Sequence, residues 1–94
     1  MSEASLQRYF KREAAKHKIF WRKIAFDGHR GCPDVFVAHK RHIMLVELKN
    51  PNHKGIISKK QANEITRLRD AGVTVNIIDN RGDIDALIKD LAGS

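Results

Sequence analysis

The sequence predicts a small α/β domain with a mixed sheet flanked by helices, and three observations carry that prediction. Apolar residues recur at helical spacing in three segments, and β-branched and aromatic residues gather in four short ones. The order of the two kinds along the chain is αβββαβα, with no internal repeat and no low-complexity stretch. The 94 residues suit one domain (1–94), and a 41% hydrophobic fraction with charges spread periodically suits a packed core.

Glu3–Lys18 reads as a helix, with Leu6, Tyr9, Phe10 and Ala14 on one face, Arg8, Lys11, Arg12 and Lys16 on the other, and Ser2 as N-cap. Ile19–Phe26 alternates as a strand does, placing Phe20, Arg22, Ile24 and Phe26 on one side. Phe20, Trp21 and Phe26 are expected in the core rather than as base-stacking groups. Asp27–Gly31, with two glycines, breaks regular structure.

Pro33–Ala38 and His42–Lys49 are two further strands, joined through Lys40-Arg41 as an antiparallel hairpin, with Pro33 at a strand start where its missing N–H matters least. After the Asn50–Gly55 loop, Ser58 caps a helix running to Ala71. Ser58 and Gln61 form a capping box, and Gly72 takes the C′ position. Val73–Ile78 is a continuous apolar strand of the buried parallel kind. Ile84, Leu87, Ile88 and Leu91 then mark a last helix, capped near Asp83.

The hairpin fixes a register. With Lys40 and Arg41 at its centre, facing residues have numbers that total 81, and Asp34 and Glu47 are such a pair. Their side chains would project from one face, roughly 4.5–5.5 Å apart at Cβ. Lys49 shares that face, whereas Val46 and Leu48 point the other way. Two opposed carboxylates need a proton or a cation between them, and a divalent Mg²⁺ or Mn²⁺ suits such an oxygen donor set. With Lys49 to orient water or neutralise charge, the chemistry indicated is metal-dependent phosphodiester hydrolysis. On spacing alone, the same residues also fit a solvated strand face with Lys49 as an ion-pair neighbour.

The formal charge of +7 is unevenly placed: residues 1–60 hold 14 Lys and Arg against 5 Asp and Glu, and residues 61–94 hold 4 against 6. A basic segment of this kind suits nucleic acid, and equally a solvated basic surface. The apolar runs are too short for a membrane helix, no hydrophobic leader follows Met1, and the single cysteine, Cys32, suits a reducing cytoplasm.

Gly31-Cys32-Pro33-Asp34 followed by Val46-Glu47-Leu48-Lys49 resembles the G-x-P-D and (V/I)-E-x-K signature of the VRR-NUC domain, a branch of the PD-(D/E)xK nuclease superfamily. Gln61, Leu68-Arg69-x-x-Gly72 and Val75-x-Ile77-Ile78-Asp79 fall where that family has its glutamine, its L-R-x-x-G and its final strand, so the resemblance spans nearly the whole chain. It implies a restriction-endonuclease-like fold. It also implies that Asp34, Glu47 and the Leu48 carbonyl bind the metal, that Lys49 is the catalytic lysine, and that Gln61 assists near the metal or water. The family tends to carry an acid in its first helix; Glu3 and Glu13 are candidates, and Gln7 stands where many relatives have Glu. Glu3 is the residue assigned to the metal here.

For DNA binding, Lys23 matches a frequent basic position in relatives and is expected to meet a phosphate, although a solvated strand-face lysine fits equally; Arg30 is a similar case, and Lys54, Lys59 and Lys60 surround a helix start that favours a phosphate. His29, His39, His42 and His53 lie in loops and turns without the companion ligands of a zinc or HNH-type site, and Cys32 has no neighbouring histidine to make it a nucleophile. In length the chain is similar to stand-alone phage-type members, which resemble Holliday-junction resolvases. The expectation is therefore a homodimeric Mg²⁺- or Mn²⁺-dependent DNA endonuclease acting on branched, four-way DNA. The alternatives are a nuclease for flap, nicked or single-stranded DNA, and a non-catalytic DNA-binding module of the same fold.

Overall fold

The computed structural model describes residues 2–29, 31–53 and 56–93. Its elements are α1 (Glu3–Lys16), β1 (Phe20–Lys23), β2 (Val35–His39), β3 (His42–Leu48), a 3₁₀ turn (Pro51–His53), α2 (Lys59–Asp70), β4 (Val75–Ile78) and α3 (Arg81–Ala92). The order is the predicted αβββαβα. The four strands form one mixed sheet in chain order, with β1–β2 and β2–β3 antiparallel and β3–β4 parallel.

The sheet has two differently covered faces. On one, Trp21, Val35, Val37, Met44, Val46, Leu48 and Ile78 pack with Leu6, Phe10 and Ala14 of α1 and Ile84, Ile88 and Leu91 of α3. Phe10 meets Trp21 edge-on at 6.0 Å, and Tyr9 ties the two helices by donating its hydroxyl to Asp85. On the other, α2 brings Ile65 and Leu68 over Leu45, Val75 and Ile77, with Ile24, Phe26 and Phe36 at the margin. No described helix is long and apolar enough to cross a membrane.

Caps and turns set the element ends. Ser2 accepts from the Ser5 N–H, as expected. Helix α1 stops at Lys16 because Lys18 is left-handed (φ 57°), and Ile19 N–H then bonds back to the Ala14 carbonyl in a Schellman motif. Helix α2 has the predicted capping box and ends in the same motif at Gly72 (φ 97°), with Val73 N–H on the Leu68 carbonyl. Val73 is spent on that cap, so β4 begins at Val75 rather than Val73 and lies at the sheet edge. Its Val75, Ile77 and Ile78 are apolar because both faces of the strand are covered, and Asn76 between them donates to Met44 Sδ.

Three further expectations need correction. The first strand is Phe20–Lys23, since Ile24 and Phe26 turn beneath α2, and Phe20 is 48% exposed rather than core. The second begins at Val35, after Pro33, which is buried but has no N–H to give the ladder. The last helix starts at Arg81 with Asn80 as its cap; the Asn80 side chain accepts from Asp83 N–H, which puts Asp83 one turn inside.

Candidate active site

The β2–β3 hairpin has the register calculated from its centre: Val35 faces Val46, and the pairing runs to His39 opposite His42. Lys40 (φ 45°) and Arg41 (φ 76°) both take positive φ, as a two-residue type I′ turn requires. Asp34 stands one residue before β2, its carbonyl held at 2.8 Å by the Ile24 N–H, so continuing the register sets it opposite Glu47. Glu47 shares the α2-covered face with Leu45 and Ile77, which is why this carboxylate is only 6% exposed.

Gly31 joins this hairpin to α2. It sits at φ +82°, and a Cβ there would lie 3.3 Å from Gln61 N and 3.4 Å from Gln61 Cα. The loop leading to Asp34 therefore rests directly on the first turn of α2, and only glycine allows both the conformation and the approach. That contact brings Gln61 to the carboxylates. Its Oε1 accepts from Lys49 Nζ at 2.9 Å and from the Ser58 N–H at 3.1 Å, and its Nε2 donates to Glu47 Oε2 at 3.4 Å.

Lys23 supplies the second cation. Its Nζ lies 2.8 Å from Asp34 Oδ2 and donates to Gln7 Oε1 of α1, also at 2.8 Å. Four of the residues singled out in the sequence (Asp34, Glu47, Lys49 and Gln61) thus converge at one end of the sheet, with Lys23 joined to them. Burial, followed by the like charge of Asp34, raises the Glu47 carboxyl from 4.5 to about 7, against the opposing pull of Lys49 and Lys23. An acidic pair strained in this way fits a divalent cation, whose charge would offset both terms. An open cleft of about 460 Å³ runs from Lys23 and Ile24 to Gly31 and Asp34 beside it.

The remaining candidates are placed differently. Glu3 is exposed in the first turn of α1 and close enough to raise Glu47 further, but the described residues contain no cluster of three or more His, Cys, Asp or Glu able to hold a metal. Glu13 is taken by Lys16, at 2.8 Å. Lys59 and Lys60 are exposed at the start of α2, and Arg30 and Lys54 lie outside the described residues. Burial and then Glu64 push the Cys32 thiol up, and it donates to Glu64 Oε2 at 3.6 Å, the opposite of an activated nucleophile. The sequence did not reveal Gln7 as the partner of Lys23; the available signal was its position, where many VRR-NUC relatives have Glu.

No family model matches the sequence, and no curated protein matches it. A solved structure described as a VRR_NUC domain superposes with a TM-score of 0.81 at 28% identity, covering 93% of this chain and 94% of that one. By fold as well as by motif the resemblance holds: this chain has the architecture of a VRR-NUC domain.

Proposed function

We propose that this chain is a nuclease of the PD-(D/E)xK type, a divalent-metal-dependent endonuclease that cuts branched DNA. The observation that carries the reading is the hairpin end, where Asp34, the buried Glu47, Lys49 and Gln61 meet beside an open cleft. The similarity to a VRR_NUC domain supports the same chemistry.

Asp34, Glu47 and the Leu48 carbonyl would hold a Mg²⁺ or Mn²⁺ ion. Such an ion, when bound, polarises a phosphoryl oxygen and makes water a stronger nucleophile. The chain's own groups do the rest. Lys49 presents an ammonium whose direction is set by Gln61 Oε1, 2.9 Å away, and that charge orients the water and offsets the negative charge developing on phosphorus. Gln61 Nε2 steadies the Glu47 carboxylate. Water attacks in line, its oxygen bonding to phosphorus as the bond to the 3′ oxygen breaks. The products are a 5′-phosphate and a 3′-hydroxyl, the leaving oxygen taking a proton. Lys59 and Lys60, exposed at the α2 start, would meet the backbone of the DNA, and Lys23, Arg30 and Lys54 are assigned the same role from the sequence.

Four-way junctions are the proposed substrate and a homodimer the proposed assembly, since paired cuts in a symmetric junction suit two-fold symmetry. The half of the sheet that α2 leaves bare, with Phe20 at 48% and Ile43 at 61% exposure, offers an apolar surface for a second copy. The test is a cleavage panel of four-way, flap, nicked, duplex and single-stranded DNA with Mg²⁺ and with Mn²⁺, run beside Lys49→Ala. The expected result is metal-dependent cutting of the four-way substrate that falls at least about a hundredfold in the variant. Cutting that survives Lys49→Ala refutes the catalytic assignment, and binding without cutting identifies a DNA-binding module instead.

A further inference from the structure

Lys23 and Lys49 stand differently toward the acidic pair. Lys49 reaches it through Gln61, whereas Lys23 touches a carboxylate directly, at 2.8 Å from Asp34 Oδ2. Gln7 accepts from the same ammonium at 2.8 Å. As a neutral amide, Gln7 fixes the direction of Lys23 without spending its charge, so the full positive charge is directed at Asp34. Among the described ion pairs, this is the one that engages the acidic pair.

We propose that Lys23, steered by Gln7, is the resident counter-cation of the acidic pair: it pairs with Asp34, a carboxylate that would hold a divalent ion, and it weakens divalent-ion binding by having to release that carboxylate. The inference rests on the metal reading above and adds a residue that sets the affinity of the site. Lys23 and Asp34 are 50% and 40% exposed at their side chains, so the pair is weak enough to exchange. Pairing of Lys23 with Val35 on β2 keeps the released lysine tethered beside the site. Its charge there still repels an incoming ion, and Gln7 keeps it from swinging away.

The experiment is calorimetric titration of the full-length chain with Mn²⁺ alone, without DNA, for the wild type, Lys23→Gln and Lys23→Arg, with circular dichroism on each. Lys23→Gln is expected to bind Mn²⁺ about 3- to 10-fold more tightly, the gain shrinking as salt is raised, and Lys23→Arg to stay near the wild type. A supporting structural role would lower affinity or leave it unchanged. Equal or weaker binding by a folded Lys23→Gln therefore overturns the inference while leaving the metal reading intact. Absence of Mn²⁺ binding by both the wild type and Lys23→Gln overturns the metal reading and the inference with it.

Discussion

Replacing Glu47 by Gln tests the electrostatics of the site through stability alone. Glu47 is 6% exposed, and burial with the nearby Asp34 charge raises its carboxyl from 4.5 to about 7. A group whose folded pKa is raised contributes fully below its unfolded pKa and loses that contribution as the pH climbs through the folded one. The window here is pH 4.5 to about 7, with the native state weakening as the pH rises. At about 1.4 kcal/mol per pH unit of difference, ionising Glu47 costs the fold on the order of 3 kcal/mol at slightly alkaline pH.

Gln keeps the shape of the side chain and an oxygen for Gln61 Nε2, but it carries no charge. Glu47→Gln should therefore be about 3 kcal/mol more stable than the wild type near pH 8 and about equal to it below pH 4.5. Urea unfolding in chelator, at several pH values, measures the difference between the two proteins and cancels the other titrating groups. Excess Mn²⁺ should close the alkaline gap by stabilising only the wild type, by about 2.7 kcal/mol at a hundredfold excess over Kd. A stability difference that is flat with pH would refute the account of Glu47.

Three other perturbations follow from the backbone. Lys18→Gly relieves a left-handed residue at the α1 C′ position (φ 57°) and should stabilise by about 0.5–1 kcal/mol, raising Tm by a few degrees in a thermal melt. The double change Lys40→Asn, Arg41→Gly supplies the residues a type I′ turn prefers and should add about 1 kcal/mol without altering the register; loss of stability would mean the turn is of another kind. Gly31→Ala forces a Cβ into positive φ and against the α2 backbone. It should cost about 1–2 kcal/mol, and DNA cleavage measured well below the melting range should fall further than that stability loss explains, because Asp34 and Gln61 are pushed apart.

The most legible part of the structure was the hairpin, because a two-residue turn leaves no freedom in the pairing once its centre is known. That alone placed Asp34 opposite Glu47. Strand ends were less legible: residues 24–26 and 73–74 have strand composition, yet Ile24 and Phe26 leave the sheet to pack, partly buried, with the α2 cluster, and Val73 serves a helix cap. Phe20 shows a different limit. Alternation correctly assigns its face, but not which part of that face is covered, and the cluster under α2, a helix of 12 residues and about 18 Å, reaches Phe36 of β2 but leaves Phe20 and Ile43 exposed. Similarly, Arg81-Gly82 does not look helical by composition, so the Asn80 cap was missed in favour of Asp83.

Gln61 shows why one residue can support two readings of a sequence. A glutamine three places after a serine is a capping box, and a glutamine opening this helix in the VRR-NUC pattern is a site residue; composition cannot choose between them. In the folded chain one atom serves both contacts: Gln61 Oε1 accepts the Ser58 N–H at 3.1 Å and Lys49 Nζ at 2.9 Å. The cap makes α2 begin at a defined residue, the Gly31 contact fixes where that beginning sits, and the lysine takes its direction from the result. Helix initiation and lysine orientation are therefore coupled through a single amide, so a change at Ser58 would reach Lys49 without touching it.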